Sequence, residues 1–510
     1  ALDLSLQKSD SDLIGNGALP VGMLGSDRAA VFTAPDITAN DVEMFDFSGN
    51  HRFSDTLAFS GNVFRRENTT DSFNGDGSEF ELCNFAGGAQ ALFEEDDGLE
   101  DALEDDLDIE LDEICEGEED DIRSFADLEE LIEDAAEAAG LDDDMYEPED
   151  ISGELSGTGV LSDVAINNIS RRVQESSGFG GQFAFTQDLF ARPNQFIAGY
   201  AWFRGKSTFE SVLELAELDP VTRSTQGLGT GAFIIDAETD IRTETETRSI
   251  YFSNTIDLNA ELALTLSGRY NDTDVTLRDR SGERPELNGD HNFTRFNPAV
   301  GLTWTPDAEL TVYGSYSESN RVPTPIELAC NEGVFELARQ YAIEEGEDPD
   351  DIEFECRLPN AFLADPPLDD VVTSSIEFGT RMVVNGVRYS VGVFHATNEN
   401  DILFQTTGRS TGLFANVDET QRRGVEFAAN GSFAQLDWYA SYSHIRATFE
   451  DDFAVLSPNH PGANADGELD VQAGDRMPGI PEDLFKLGAD YHFMPNATAG
   501  VEVVHNGSQV

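Results

Sequence analysis

The sequence predicts an all-β chain whose antiparallel strands form a transmembrane β-barrel with long extracellular loops and a short helical acidic insertion. Three observations support this fold class. Many segments alternate apolar and polar side chains, short turns alternate with long acidic connections, and no apolar run approaches the roughly 18 residues that a spanning helix needs. The apolar content of 39% is low for a large packed core but sufficient for a barrel with a hydrated interior.

Period-two alternation is clearest in residues 262–269, 310–317, 436–443 and 485–493. Because successive side chains of a strand point to opposite faces, each segment has one apolar and one polar face. Leu264 belongs to the apolar set, which we expect to face lipid. We predict that the polar set faces the barrel lumen; its members are Arg269, Tyr313, Ser315, Asp437, Tyr439, Lys486 and Asp490.

The connections between such segments fall into two classes. Residues 384–387 contain an Asn-Gly hairpin signal, and residues 305–308 form another short turn. A soluble sandwich also alternates, but strands of about 10 to 14 residues with short turns at one rim only are typical of outer-membrane barrels. Long acidic connections are predicted at roughly 68–160, 270–292, 321–370 and 449–480.

The number of strands is also predicted. We expect about 14 to 16 strands from the alternating segments. The pattern is already present at residues 2–6 and continues at residues 501–504. We therefore expect residues 1–510 to be one region of a longer barrel.

The chain is strongly acidic, with 100 Asp and Glu against 30 Lys and Arg and a net charge of −70. Such a charge repels phosphate backbones and excludes nucleic acid as a partner. Residues 94–150 alone hold 30 acidic residues and one base, Arg123. Within them, Ser124 and Asp127 resemble a capping box before an apolar stripe from Leu128 to Ala139, closed by Gly140. A second row of apolar residues runs at Leu99, Leu103, Leu107 and Leu111, so we expect two short helices in this insertion.

The four cysteines fall into two local pairs in predicted loops. Cys83 and Cys115 are 32 positions apart, and Cys330 and Cys356 are 26 positions apart. Neither pair has the Cys-x-x-Cys spacing of a zinc or redox site. An even count in loops fits an oxidising compartment, with a disulfide between Cys83 and Cys115 closing the acidic insertion. The alternative is four buried free thiols.

No motif in the chain predicts catalysis or a cofactor. Residues 199–207 resemble a phosphate-binding loop but have five residues between the glycines and lie in an alternating strand. The histidines lack paired metal-ligand spacing. We therefore expect neither an enzyme nor a metal site. The acidic insertion either binds Ca²⁺ or forms a solvated, salt-tolerant surface, because residues 71–79 only approximate a calcium loop.

Four stretches resemble the barrel region of TonB-dependent outer-membrane receptors. Residues 295–306 and 312–328 match a strand that leads into a long extracellular loop in that family. Residues 416–427, with Asn416, Thr420, Arg422 and Gly424, look like a strand entry of the same family. Cys330 and Cys356, followed by residues 358–368, resemble a loop that is closed by a short disulfide in one receptor subgroup.

This resemblance implies a function for the parent protein. It implies a barrel of about 22 strands around a plug domain, in the bacterial outer membrane, that takes up a scarce bulky nutrient. A ferric siderophore is the family's commonest cargo. The implied partners are TonB, which acts through a plug region outside this sequence, outer-membrane lipid and lipopolysaccharide, and the iron chelate. We expect a monomer. The rival hypotheses are a passive porin and an acidic calcium-dependent adhesin, neither coupled to energy.

The resemblance also suggests where ligand binds. Glu318, Asn320 and Arg321 stand where a strand meets the long connection at 321–370, at the expected mouth of the barrel. The guanidinium of Arg321 suits a carboxylate or catecholate cargo. The alternative is a structural salt bridge between Arg321 and a loop carboxylate.

The face assignment can be tested by substitution. Leu264→Arg should destabilise the intact barrel by roughly 2–4 kcal/mol if Leu264 lies near the bilayer midplane, because a guanidinium would then enter lipid. Thr265→Arg, on the opposite face, should cost far less. Unfolding free energies of both variants in lipid vesicles measure this difference, and equal costs would contradict the assignment.

Overall fold

The computed structural model describes most of the chain, with gaps mainly in long connections. The described residues are 1–15, 19–78, 80–94, 99, 102–104, 107, 109–117, 119, 121–141, 146, 148, 150–156, 160–228, 233–282, 285–325, 328, 368–406, 412–456, 460, 462–464 and 468–509.

One antiparallel sheet of 17 strands dominates the structure. One of these strands has only two residues and another only three, which leaves 15 long strands. This count confirms the predicted strand number, and each long strand pairs with the next long strand along the chain. The long strands are β1 (Leu2–Ile14), β2 (Asp36–Arg52), β3 (Leu57–Gly77), β7 (Ala165–Thr186), β8 (Asn194–Leu218), β10 (Phe233–Asp257), β11 (Leu262–Asp279), β12 (Gly289–Asp307), β13 (Leu310–Arg321), β14 (Val371–Val384), β15 (Val387–Thr406), β16 (Gly412–Phe433), β17 (Leu436–Phe449), β20 (Asp483–Met494) and β21 (Ala497–Asn506).

Short elements occupy the connections. Two hairpins outside the main sheet are formed by β4 with β5 and by β18 with β19. The short elements are α1 (Val21–Ser26), β4 (Phe80–Asn84), β5 (Gln90–Glu94), α2 (Leu111–Cys115), α3 (Phe125–Ala139), β6 (Leu155–Ser156), β9 (Thr225–Gly227), β18 (Phe453–Leu456), β19 (Glu468–Val471) and the 3-10 turns Ile151–Glu154 and Pro285–Leu287. Within the described ranges, no helix has both the length and the apolar character needed to cross a membrane.

The turns at one rim of the sheet are short, as predicted. Asn385 and Gly386 join β14 to β15, and both have positive φ, 51° and 80°. Positive φ at both central residues is the geometry of the two-residue hairpin turn that follows the right-handed twist of its strands. The turn after Asp307, which ends β12, is equally short, since β13 begins at Leu310.

The strands extend further into the long-loop rim than we expected. β8 and β10 have 25 residues each, against the predicted 10 to 14. β3 continues to Gly77 and β11 to Asp279, so the connections predicted at 68–160 and 270–292 run only from 78 to 164 and from 280 to 288. Near this rim both faces carry many polar side chains, which conceals the alternation although backbone pairing continues.

The two other long connections begin and end close to the predicted positions. Arg321 is the last residue of β13 and Val371 the first of β14. Phe449 ends β17, and β20 begins at Asp483. These bounds agree with connections at 321–370 and 449–480.

The acidic insertion is a folded subdomain with its own apolar core. Leu103, Leu128 and Ile132 are fully buried in it, together with Cys83 and Ile114. The disulfide between Cys83 and Cys115 is present and joins the β4–β5 hairpin to α2, which confirms that predicted pair. Cys330 and Cys356 lie outside the described residues.

Helix α3 confirms one of the two predicted helices of the insertion. The backbone N–H of Asp127 donates to Ser124 Oγ at 3.4 Å, and Asp127 Oδ2 accepts from the backbone N–H of Arg123 at 2.9 Å. These hydrogen bonds lower the pKa of the Asp127 carboxyl, with the bond from Arg123 as the largest cause. Gly140 follows the helix with φ +73°, as a helix-terminating glycine should. In the second apolar row, Leu111 begins α2. Leu103 and Leu111 are buried in the core of the insertion, and Leu99 and Leu107 pack against it.

The disulfide of the insertion can be tested by removal. Replacing Cys83 and Cys115 together by Ala should destabilise the insertion by about 2–4 kcal/mol, because its unfolded chain regains loop entropy. Hydrogen exchange should rise in residues 111–139 and stay unchanged in the strands of the main sheet. Unchanged exchange in the insertion would show that its apolar core alone holds it, and labelling of the unreduced native protein should find neither cysteine as a free thiol.

Candidate functional site

The sheet has a polar face and an apolar face, and the seven side chains predicted to face the lumen share the polar one. Large apolar side chains such as Leu266, Phe296 and Phe378 are exposed on the other face, where Leu264 also lies. We call these the polar face and the apolar face. Register pairs carry the polar face from β11 to β20: Arg269–Asn297, Ala299–Ser317, Tyr313–Gly379, Gly379–Gly392, Gly392–Glu426, Glu426–Ser443, Ser441–Lys486 and Asp437–Asp490.

Hydrogen bonds between side chains cover the polar face. Ser253 and Ser267 are 2.7 Å apart, and Thr255 and Thr265 are 2.9 Å apart. The Tyr313 hydroxyl donates to Glu377 at 3.0 Å. Polar groups that bond to one another in this way are typical of a hydrated wall, in contrast to the apolar face behind it.

Glu318 and Asn320, two of the predicted ligand contacts, form a polar network at the end of β13. Glu318 accepts from Arg295 Nη2 at 3.1 Å and from the Tyr316 hydroxyl at 2.6 Å. Asn320 Oδ1 accepts from the side-chain amides of Asn271 at 3.2 Å and Asn297 at 2.8 Å.

Asn320 also reaches the far end of the long connection. Its Nδ2 donates to Asp370 at 2.9 Å, directly before β14. One amide therefore joins β11, β12 and β13 to the start of β14. This network positions both ends of the connection, so the two residues have a structural role whether or not they contact a ligand.

Arg321 lies in a different setting. It is exposed at the last position of β13, and its backbone is paired with Val371. The next residues, 322–325, cross the polar face and line a cavity of about 350 Å³ together with β3, β7, β8 and β10. Arg66, Asn68 and Gln174 contribute polar side chains to this cavity.

An apolar cluster holds the ends of the same connection against the sheet. Leu328 and Leu368 are buried with Ile241, Val275 and Leu277. Val275 and Leu277 belong to the polar face of β11, since they alternate in phase with Arg269. Both ends of the 321–370 connection therefore lie on the polar side of the sheet, over its long-loop rim.

The residues of the 416–427 motif act as structural ties between β15 and β16. Thr420 is fully buried and donates to Asp401 at 2.5 Å, and Arg422 donates to both of them at 2.9 and 3.3 Å. Asn416 donates to the backbone carbonyl of Asn400 at 2.8 Å. At Gly424 a Cβ atom would lie 2.5 Å from the His444 carbonyl oxygen, so only glycine fits.

Sequence reasoning missed two groups of residues at this site. The contacts of Asn271 and Asn297 with Asn320 could not be predicted from the sequence, because they depend on the register of three strands. Arg66 could have been found, since the adjacent bases Arg65 and Arg66 must point to opposite faces of a strand. Among the described residues, no group of three or more His, Cys, Asp or Glu is arranged to hold a metal ion.

Comparison with known proteins identifies the class of this fold. The chain resembles the ferric citrate transporter FecA in its unliganded form, with a TM-score of 0.59 at 12% identity, covering 100% of this chain and 55% of FecA. It resembles the ferric-catecholate import receptor Fiu from E. coli K12 in its closed form equally well, 0.59 at 12%, covering 100% and 62%. The pyoverdine outer membrane receptor FpvA from Pseudomonas aeruginosa PAO1, bound to pyoverdine, gives 0.56 at 12%, covering 98% and 56%.

At this identity the likeness shows the fold alone, an outer-membrane β-barrel. The chain spans between about half and three fifths of those receptors' lengths. A family model, TonB dependent receptor-like β-barrel, matches residues 8–509. The chain therefore belongs to the TonB-dependent receptor family, whose members are transporters of the bacterial outer membrane rather than enzymes. A search of curated proteins found no match.

The tie made by Asn320 can be tested directly. Asn320→Ala should loosen the ends of the 321–370 connection by about 1–3 kcal/mol, because the amides of Asn271 and Asn297 and the Asp370 carboxylate lose a partner. Hydrogen exchange at residues 322–325 and 368–371 measures this effect. Ser319→Ala, one residue away, serves as the control; equal exchange in both variants would remove the structural role of Asn320.

Proposed function

We propose that this chain forms the barrel wall of an outer-membrane receptor that takes up a ferric siderophore by active transport coupled to TonB. The family match over residues 8–509 carries the proposal. Fold neighbours named for ferric citrate, ferric catecholate and pyoverdine support the iron-chelate class. Because the chain spans only part of those proteins' length, the activity belongs to the whole receptor.

The physical argument for active transport is the width of the barrel. Fifteen long strands already exceed the small barrels of about eight strands whose lumen side chains can fill. A wide lumen that admits a bulky chelate would also leak small solutes, so it must be closed by a plug and opened by work. TonB supplies that work in the proposed function, acting through a plug region outside this chain.

Arg321 is the ligand contact that we propose at the mouth. Its planar guanidinium offers paired donors to carboxylate or catecholate oxygens. It stands at the end of β13, next to the cavity under residues 322–325. Glu318 and Asn320, which are engaged with Arg295, Asn271 and Asn297, would act by holding this rim in position.

We propose that the lipid partner contacts a belt of ion pairs on the apolar face. Lys8 pairs with Glu43 at 2.7 Å, and Arg248 with Asp274 at 3.7 Å. In β1 and β2, Leu6 lies opposite Phe45, and Lys8 lies opposite Glu43 one step nearer to the long-loop rim. The belt of ion pairs therefore lies between the exposed apolar residues and that rim. This height corresponds to lipid headgroups, so lipopolysaccharide phosphates and their bridging cations are the expected neighbours.

The function is tested by iron uptake in cells that carry the full-length receptor as their only outer-membrane siderophore route. We expect uptake of a radiolabelled ferric siderophore from a panel, and loss of that uptake when TonB is deleted. Arg321→Gln should weaken ligand binding roughly tenfold, about 1.4 kcal/mol, because one charge-assisted contact is lost.

Arg423→Gln is the matched control. Arg423 lies on the apolar face of β16, next to Gly424 in the sequence, so the same substitution there removes a guanidinium from the opposite side of the sheet. Equal effects of both substitutions would refute the proposed role of Arg321. Uptake that persists without TonB would instead support a passive porin, and no uptake of any ferric chelate would refute the cargo class.

A further inference from the structure

Part of the polar face carries no carboxylate, although 100 of the 510 residues are Asp or Glu. Six neighbouring strands, β3, β7, β8, β10, β11 and β12, contribute to this part. We call it the carboxylate-free wall. Its members are the even-numbered residues of 58–74 and 166–186 and the odd-numbered residues of 195–215, 241–255, 263–277 and 289–305. Carboxylates return to the same face only at the strand ends, at Asp76, Glu217, Asp257, Asp279 and Asp307.

The wall is nevertheless charged, because four arginines stand on it. Arg66, Arg172 and Arg269 form no ion pair with any carboxylate in the parts of the chain that the structure describes, and Arg295 pairs with Glu318 at 3.1 Å. Arg269 donates only to neutral groups, Asn271 at 2.8 Å and Ser249 at 2.9 Å.

The opposite face of the same strands has the reverse arrangement. There most bases meet carboxylates: Arg171 pairs with Asp71 at 2.7 Å, and Lys206 with Glu244 at 3.6 Å. Acidic residues are therefore abundant in these strands, but between the strand ends they stand on the apolar face. The strands themselves do not exclude carboxylates.

The remainder of the polar face differs from the wall, because it carries carboxylates. On β14 to β21 it carries Glu377, Glu426, Asp437, Asp490 and Glu502. Burial does not explain the difference, since Arg66 and Arg172 on the wall are exposed to solvent. Carboxylates could be hydrated there as they are elsewhere, so what distinguishes the wall is its electrostatic potential.

The cavity under residues 322–325 lies against this wall. Arg66 offers a guanidinium to it, Asn68 and Gln174 offer amides, and Thr243 and Thr245 offer hydroxyl groups. Glu175 also lines the cavity, but it belongs to the apolar face by alternation and its carboxylate pairs there with Arg65 at 3.7 Å. Donors without a competing carboxylate suit a ligand that presents several anionic oxygens.

We propose that the carboxylate-free wall is the binding surface for an anionic, oxygen-rich metal chelate, with Arg66 and Arg172 as its cationic contacts. This inference deepens the proposed function and rests on it for the identity of the cargo as a chelate. The acidic remainder of the molecule repels such an anion, so the wall is the part of the lumen where its electrostatic energy is lowest.

The potential at the wall can be measured without knowing the ligand. Gln174 is exposed on the wall, lies opposite Asn68, and is two residues from Arg172. Ser443 is on the polar face outside the wall, opposite Glu426. Gln174→Cys and Ser443→Cys are made separately in the full-length receptor, and each is reacted with an anionic and a cationic methanethiosulfonate reagent.

We expect the anionic-to-cationic rate ratio to be at least about fivefold higher at position 174 than at position 443. Arg66→Gln and Arg172→Gln, each added to Gln174→Cys, should lower the ratio about twofold or more. The adjacent bases on the other face, Arg65→Gln and Arg171→Gln, are matched controls and should leave it unchanged. Equal ratios at 174 and 443, or equal effects of both arginine sets, would overturn the proposal.

Binding of ferric citrate, used as an anionic chelate probe, separates this inference from the proposed function. Arg66→Gln with Arg172→Gln should weaken binding of the probe at least about tenfold relative to the Arg65→Gln with Arg171→Gln control. A high rate ratio at position 174 without TonB-dependent iron uptake would refute the proposed function and keep the wall as an anion surface. Uptake with unchanged probe binding in both double variants would refute the wall.

Discussion

The constraint on which this structure depends is that every backbone polar group inside a membrane needs a partner. Fifteen long strands meet it by pairing in chain order, which uses the N–H and C=O groups of each strand on its neighbours. Pairing of this kind turns alternate side chains to opposite faces. One covalent pattern, period two, therefore separates the exposed Phe296 and Phe378 of the apolar face from Arg269 and Tyr313 of the polar face.

Elements that leave the sheet need a different source of stability. The acidic insertion repels itself, with 30 carboxylates in residues 94–150, and yet it folds around Leu103, Leu128 and Ile132. Its apolar core and the Cys83–Cys115 disulfide offset that repulsion, and the carboxylates remain in water. The 321–370 connection is held instead by contacts of its two ends, through Asn320 and the cluster around Val275.

Charge is distributed by face and by position in the sheet. On the apolar face of the strands that form the wall, most bases are paired, as Lys206 is with Glu244. On the polar face of the same strands, Arg66 and Arg172 stand without a carboxylate among the described residues. A net charge of −70 describes the chain as a whole and conceals this local inversion of sign. A lumen that repels anions along most of its wall can therefore still attract them at one side.

Local sequence patterns were enough to predict the fold class, the strand number, the short turns and the two faces, because alternation and an Asn-Gly turn are local properties. They also indicated the cap of α3 at Ser124 and Asp127. Only the tertiary structure decided where the strands end, because paired polar residues near the rim carry no alternation. It alone brought Asn271, Asn297 and Asn320 together and placed Arg66 and Arg172 on one wall. Asn320 meets residues 23 and 49 positions away, and Arg66 and Arg172 come from two different strands. Both arrangements depend on strand register, which a one-dimensional pattern does not contain.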